Sequence, residues 1–474
     1  MNVLTRTWEK LAARELEKSR ETAERRWRPK FHAAPPVGWL NDPNGLCQYQ
    51  GVYHAFYQYS PFDVKGGLKF WAHCTSRDLL HWSFEGTALA PDEPFDCHGV
   101  YSGSALVENG QMVLYYTGNV KQAGDYDYIH TGRESNTVCA AGADGFHFDG
   151  KRLLMTNQDY PEDLTCHVRD PKVWKQDGRY YMVQGARTAE DRGVVLVFES
   201  EDGLDWKYRS RLETEEPFGF MWECPDLYEV DGRTVLSISP QGVEADGLRY
   251  NNVYQCVTVF LEEDFRTGKV NGKFRELDAG FDFYAPQSFA AEDGRRIQIG
   301  WMGMPDAEEY YTNRTVEDGW QHTLTLPREL SVRDGILCQN PVRELDAWWN
   351  VFTPFENTYS ETPGDCFELE LTEIGESVRL TLAGGLLLSW KKEEGIFWME
   401  FTDKKLGAGR TRRGRRTEKL TDLRVIVDVS CVEVFLNGGK DVFSTRFYPD
   451  TEGISARLQA PGSRGRLCLH KEKK

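Results

Sequence analysis

Residues Trp39–Gln58 read W-L-N-D-P-N-G-L-C-Q-Y-Q-G-V-Y-H-A-F-Y-Q: a carboxylate beside a proline, a turn glycine at position 51, then an aromatic-rich apolar run. The second half of this unit returns four times, as G-Q-M-V-L-Y-Y-T from Gly110, G-R-Y-Y-M-V-Q-G from Gly178, G-R-T-V-L-S-I-S from Gly232 and G-R-R-I-Q-I-G-W from Gly294. Successive glycines are 59, 68, 54 and 62 residues apart. A second element recurs between them, as S-R-D-L-L-H-W (Ser76–Trp82), A-D-G-F-H-F (Ala143–Phe148) and S-E-D-G-L-D-W (Ser200–Trp206). Short strands and tight turns repeated at such spacing predict the blades of a β-propeller. The period exceeds that of the common propeller repeats, so each blade is expected to carry extended loops.

The acidic half of the unit keeps the same phase. Besides W-L-N-D-P-N-G (Trp39–Gly45), the chain holds V-R-D-P-K-V (Val168–Val173) and W-E-C-P-D-L-Y (Trp222–Tyr228). Asp42 precedes its glycine by nine residues, Asp170 by eight and Glu223 by nine. If each lies on the first strand of a blade, that strand lines the central channel and the three carboxylates converge near the axis. A lone D-P or P-D dipeptide is ordinarily a turn. Three of them in phase with a fivefold repeat point to a site, and clustered carboxylates are the minimum equipment for acid-assisted displacement.

A chain of 474 residues exceeds one hydrophobic core and suggests two domains. Residues 1–29 predict a helical lead-in whose apolar face holds Leu4, Trp8, Leu11 and Leu16. Residues 30–335 are expected to form the five-bladed propeller, and 336–355 a connector around Q-N-P-V-R-E-L-D-A-W-W-N (Gln339–Asn350). In 356–474 strand patterns continue without the repeat, as in C-F-E-L-E-L-T-E (Cys366–Glu373) and C-V-E-V-F-L-N (Cys431–Asn437), which predicts a β-sandwich. The fold class is therefore all-β: a five-bladed propeller, then a C-terminal sandwich, with a short N-terminal helix. The basic run G-A-G-R-T-R-R-G-R-R (Gly407–Arg416) is expected to be a solvated loop between strands.

A net charge of −17 argues against nucleic acid and anionic membrane as partners, while leaving room for a local basic pocket that takes a phosphorylated small molecule. Aromatic residues make up 13% of the chain; most must be core, and the remainder suit sugar stacking. The 11 cysteines, odd in number and without a C-x-x-C pair, read as reduced thiols. With no apolar signal core and no run of ~20 apolar residues, the expected location is the cytoplasm. The ten histidines form no H-E-x-x-H or similar pattern, so no metal or other cofactor is expected.

At these motifs the chain resembles the family 32 type β-fructofuranosidases, the glycoside hydrolases grouped with invertase, sucrose-6-phosphate hydrolase and fructan hydrolases. The resemblance extends to F-Y-Q (Phe56–Gln58), Y-S-G-S (Tyr101–Ser104), F-D-F-Y-A-P-Q (Phe281–Gln287), G-W-Q-H-T-L-T-L-P-R-E-L (Gly319–Leu330), V-E-V-F-L-N-G-G (Val432–Gly439) and S-T-R-F-Y-P (Ser444–Pro449). It implies a propeller followed by a sandwich, and a small sugar as substrate: sucrose, sucrose 6-phosphate or short fructans. It implies Asp42 as nucleophile, Glu223 as acid/base and Asp170 as transition-state stabiliser, with Asn41, Gln58, Trp71, Ser102, Arg169 and Asp226 as supporting contacts. The acid must carry a proton while the nucleophile is ionised, and Trp222 beside Glu223 offers the less polar setting that separates the two. Arg169 is expected to keep Asp170 charged. Cys224 has no histidine in its own or a flanking motif to activate it as a nucleophile.

One stretch departs from the family pattern. In K-G-G-L-K-F-W-A-H (Lys65–His73), Gly66 and Gly67 stand where many members place a tryptophan. This version resembles intracellular bacterial sucrose-6-phosphate hydrolases, with Lys69 or another rim cation to meet the phosphate. Rival readings are an exo-acting fructan hydrolase, an inverting glycosidase on a related five-bladed scaffold, and a sugar-binding protein without catalysis. The last predicts loss of an acidic residue, and all three are present. Oligomeric state and transfer to a second sugar are left open.

Overall fold

Four of the five recurring glycines close two-residue hairpins in the computed structural model, which describes residues 3–22 and 26–471. Gly51, Gly110, Gly178 and Gly232 have φ of 74, 71, 79 and 72°, and the residues before them, Gln50, Asn109, Asp177 and Asp231, have φ of 52, 52, 51 and 48°. Two successive positive φ values make the type I′ turn that matches strand twist. A Cβ at any of these four glycines would meet nothing within 4 Å, so the glycine answers to backbone conformation and not to space. The fifth, Gly294, sits in a longer turn between Ala290 and Arg296.

Each hairpin begins a sheet of four successive strands, and the first and fifth sheets each gain one two-residue strand more. The five inner strands are Gly38–Tyr49, Val100–Glu108, Leu164–Gln176, Met221–Val230 and Tyr284–Ala290. Each touches the next, and the fifth touches the first, so the sheets close around an axis as the blades of a five-bladed propeller. Trp320–Gln321 pairs in parallel with Gly38–Trp39 and latches the ring between blades 5 and 1. The second repeated element links the third and fourth strands of blades 1 to 3. There Asp78, Asp144 and Asp202 each accept the backbone N–H groups two and three residues on, a side-chain-built turn. Blade 4 repeats the device with Asp264, which accepts from Arg266 N–H.

The outermost strand of blade 5 runs Ile336–Pro341, so the expected propeller edge at 335 falls inside the fifth sheet. The linking segment is 342–350, with a short helix at Arg343–Trp348, and Val351–Glu361 is already a strand of the second domain. That domain is the β-sandwich. Its long last strand, Ala456–Leu469, pairs with Ser377–Leu382 through its first residues and with Cys366–Glu373 through its last. Bending with its neighbour Val351–Glu361, it passes from one layer to the other.

The basic run is not a solvated loop. Arg412–Arg416 is an edge strand paired with Ile396–Phe401. Arg410 is fully buried and grips Asp282 of the propeller with two hydrogen bonds of 2.7 Å, and Arg415 reaches Glu276 at 2.7 Å. The run is basic because the propeller face it covers is acidic. The N-terminal helix α1 (Val3–Thr22) lays Trp8 against Phe62 and Phe70 of blade 1. Of the helical reading for residues 1–29, Val3–Thr22 is helix among the described residues; residues 1–2 and 23–25 lie outside them, and Trp27 is buried, its Nε1 donating to the Pro449 carbonyl of the sandwich.

Candidate active site

All five inner strands are interrupted at one level. The pairing slips at Asn41–Asp42, Ser102, Asp170–Pro171, Cys224–Pro225 and Ala285–Pro286. Proline has no N–H for the ladder, so at three of these positions it occupies a place where the ladder is already broken. Asp170, Cys224 and Ala285 adopt φ of 64, 47 and 47°, a region that costs energy for any residue with a Cβ. The D-P and P-D dipeptides are thus bulges that re-aim side chains toward the axis. Ser102 and Tyr284 stand eight and ten residues before Gly110 and Gly294, so every blade supplies a residue at the phase first read from Asp42.

Asp42 is held by its own and the next blade. Ser102 donates its hydroxyl to Asp42 Oδ2, and Asn41 Nδ2 reaches Oδ1 at 3.2 Å. Behind them Gln58 donates to Ser102 at 2.7 Å, Asn41 donates to Gln58, and Trp39 Nε1 fixes the Asn41 carbonyl at 2.9 Å. Asn44 donates to the Asp42 carbonyl and accepts from Gly103 N–H, tying blade 1 to blade 2. Asp170 receives the Cys224 N–H on Oδ2 at 2.9 Å, and its own N–H is held by Thr117. Cys224 Sγ lies 3.7 Å from Asp42 Oδ2. Glu223 accepts from Arg169 on Oε1 at 2.7 and 3.1 Å, and from Tyr284 at 2.6 Å and Gln241 at 2.8 Å on Oε2. Three carboxylates from three blades therefore share one cluster.

Burial, opposed by the Ser102 and Asn41 donors, raises the Asp42 carboxyl above the usual range. Burial raises Asp170 to about 7; Arg169 opposes the shift, and the neighbouring Glu223 and Asp42 charges add to it. Arg169, 4.0 Å from Asp170, favours its ionised form as the sequence led one to expect, but burial outweighs it, and the hydrogen bonds of Arg169 go to Glu223 and His167. Burial and three carboxylates push the Cys224 thiol well above its ordinary value, away from the thiolate that a nucleophile needs. Lys69 lies beside Asp42 with Nζ 4.9 Å from the centre of the Trp39 ring, and burial lowers it to about 8 despite the Asp42 and Asp63 charges.

The supporting residues divide. Asn41, Gln58, Ser102 and Arg169 touch the carboxylates or the groups that orient them. Trp71 does not line an open pocket: it is fully buried, donates to the Tyr101 carbonyl and packs on Phe56 and Tyr116 beneath the site. Asp226, three residues further along its strand, is engaged by Ser288 N–H at 2.6 Å and by Lys172 at 3.1 Å. Trp222 is fully buried on the far side of its strand, where it packs on Phe274 and donates to the Phe218 carbonyl, so its ring does not set the surroundings of Glu223. Tyr284 and Gln241, which do, were not singled out from sequence; the phase of Tyr284 was the available signal. Gly66 and Gly67 have φ of 109 and 122°, and a Cβ on Gly66 would come within 3.6 Å of Lys69 Nζ. The glycines thus leave open the space over Lys69 and Trp39.

Residues 32–341 match the family model for the glycosyl hydrolases family 32 N-terminal domain, and residues 391–468 the model for the family 32 C terminal. The chain is similar to sucrose-6-phosphate hydrolase of Bacillus subtilis (strain 168), 38% identical over 438 residues spanning 89% of each protein. It is equally similar to raffinose invertase of Escherichia coli, 38% identical over 475 residues spanning 95% of each. Among solved structures it resembles sucrose-6-phosphate hydrolase from Lactobacillus gasseri, with TM-score 0.88 and 30% identity over 97% of this chain and 96% of that one. It also resembles a Bombyx mori GH32 beta-fructofuranosidase mutant in complex with sucrose, with TM-score 0.85 and 30% identity over 98% of both chains.

Proposed function

Since this chain belongs to family 32 of the glycosyl hydrolases, we propose that it is a retaining β-fructofuranosidase that releases fructose from sucrose 6-phosphate and sucrose. In the first step a carboxylate oxygen of Asp42 bonds to the anomeric carbon of the fructosyl unit as the glycosidic bond breaks. Glu223 gives its proton to the departing oxygen. In the second step Glu223 takes a proton from water, the water oxygen bonds to the same carbon, and Asp42 leaves as a carboxylate. Asp170 holds fructosyl hydroxyls where positive charge develops. Asn41, Gln58 and Ser102 orient Asp42, and Arg169, Tyr284 and Gln241 orient Glu223.

What carries this reading is the convergence of Asp42, Asp170 and Glu223 from three blades, with Cys224 bridging Asp170 at 2.9 Å and Asp42 at 3.7 Å. Two carboxylates flanking one bond suit an oxocarbenium-like transition state. The sucrose-6-phosphate hydrolase names of the relatives support the substrate class.

The test is a paired kinetic assay of sucrose and sucrose 6-phosphate, with Asp42→Ala beside the unaltered protein and NMR to identify the first anomer released. Fructose release with retention, abolished in the variant, is expected. Full activity of Asp42→Ala would remove the nucleophile assignment, and inversion would remove the covalent intermediate. Turnover of fructans in preference to both sugars would make the protein an exo-acting fructan hydrolase.

A further inference from the structure

Arg133 and Lys121 face each other across two strands of blade 2, at the end nearest the site. A line of contacts joins them to the acid/base. Arg169 Nη2 is 2.7 Å from Glu223 Oε1, Arg169 Nη1 is 2.6 Å from His167 Nδ1, and Arg133 Nη1 is 3.3 Å from that same nitrogen. An imidazole nitrogen aimed at by two guanidinium groups is an acceptor, so His167 is neutral; burial and the arginines hold its pKa down at about 2. His167 therefore separates the two arginines without adding charge.

Arg169 is matched by Glu223, whereas Arg133 is not matched. Among the described residues no carboxylate forms an ion pair with Arg133 or Lys121; burial and the Arg169 charge disfavour the Arg133 cation, and burial and the Arg133 charge disfavour the Lys121 cation. Arg133 Nε is buried and finds no partner. Lys121 Nζ stands 5.3 Å over the Tyr128 ring. Of the acidic groups in the neighbouring segments, Asp127 accepts from Ile129, His130 and Thr131 N–H and Glu134 accepts from Gln122, while Asp125 forms no ion pair with either cation. Two adjacent cations without a counter-charge are conspicuous in a chain with net charge −17.

We propose that Arg133 and Lys121 form a subsite for a phosphate monoester on the leaving-group sugar. The inference rests on the function proposed above, in which Glu223 protonates the departing oxygen and so has the leaving sugar on its side. A phosphate on that sugar's outer carbon stands further from Glu223 than the glycosidic oxygen does, and Arg133 is the next cation beyond Arg169 and His167 in the contact line that starts at Glu223. The guanidinium fork and the ammonium supply the donors and charge that a phosphate dianion takes. Lys69, the other candidate, stands over the Trp39 ring, which holds Asn41 and through it Asp42, on the nucleophile's side.

The experiment uses the full chain, Arg133→Gln and the more exposed Lys121→Gln, with kcat/KM measured on sucrose 6-phosphate and on sucrose. Inhibition of sucrose hydrolysis by glucose 6-phosphate and by inorganic phosphate is measured alongside. Arg133→Gln is expected to lower kcat/KM for sucrose 6-phosphate by about tenfold or more, mainly through KM, with a smaller loss on sucrose. It should raise the glucose 6-phosphate inhibition constant by a similar factor, and Lys121→Gln should move both in the same direction. Equal losses on the two sugars in both variants would overturn the subsite, as would an unaltered protein indifferent to the phosphate. Inorganic phosphate competing as well as glucose 6-phosphate would also overturn it, by detaching the anion from the sugar. An unaltered protein that hydrolyses neither sugar would refute the function instead.

Discussion

Asp170 combines a left-handed backbone, burial and two neighbouring carboxylates, and each has a measurable consequence. Its folded pKa of about 7 lies above the value of about 4 for a free aspartate. Between those values the folded chain keeps a proton that the unfolded chain has released. The associated stability is present in full below about pH 4 and is lost as pH rises through about 7. Asp170→Asn is therefore expected to melt above the unaltered protein at pH 8, with the gap closing by pH 5; a gap independent of pH in thermal unfolding would contradict this. Glu223→Gln removes the proton donor but not its neighbours Tyr284 and Gln241. Its kcat on sucrose should fall by roughly 10²–10⁴-fold. The loss should be much smaller on β-fructofuranosyl fluoride, whose leaving group needs little protonation. An equal loss on both substrates would remove the acid role.

At the scale of the element, the propeller rests on turns at one end of its inner strands and bulges toward the other. Gly178 sits in a type I′ turn with φ 79° and open space around it. Gly178→Ala is expected to destabilise by about 1–2 kcal/mol through the left-handed conformation alone. Gly178→Asn, which tolerates that conformation, should cost less, and equal melting points for the two would point to a steric cause. Activity should be unaffected in both, because the turn lies eight residues from Asp170. The bulges explain why acid and proline occur together. A carboxylate that must leave the strand's alternation needs a break in the ladder, and proline cannot help to close one. The phase of the repeat was therefore readable beforehand, whereas Ser102 and Tyr284 belong to it without a carboxylate to announce them.

In the whole molecule, propeller and sandwich are joined by buried charge. His32 lies between Asp428 at 2.8 Å and Glu433 at 3.0 Å, Glu433 also accepts from Arg328, and Arg410 grips Asp282. Burial alone would lower the His32 pKa, but the Cys431 sulfur and the two carboxylates more than offset it, and it stands at about 10. The stability tied to that proton is present in full below about pH 6.5 and fades as pH rises toward 10. His32→Gln should accordingly flatten the fall of the melting temperature between pH 7 and 10. Arg410→Met leaves Asp282 buried without its main partner and should cost about 3–5 kcal/mol. Adding Asp282→Asn should recover part of the loss, and strict additivity of the two changes would show the pair to be uncoupled.

The sequence by itself determined the five-bladed repeat, its turns, the sandwich after it and the three carboxylates, because turn chemistry and strand patterning are local and recur in phase. It also carried the family resemblance at motif level. Only the tertiary structure decided what each charge faces. Arg169 gives its carboxylate hydrogen bonds to Glu223 and stands 4.0 Å from its neighbour Asp170, Trp222 turns away from the site, and Asp226 serves the Lys172 pair. Arginines that read as a solvated loop are buried against acids more than a hundred residues away. The physical reason is the same throughout. A strand's sequence states which side chains share a face, but the partner across that face comes from another blade or another domain, and burial makes that partner decide the energy.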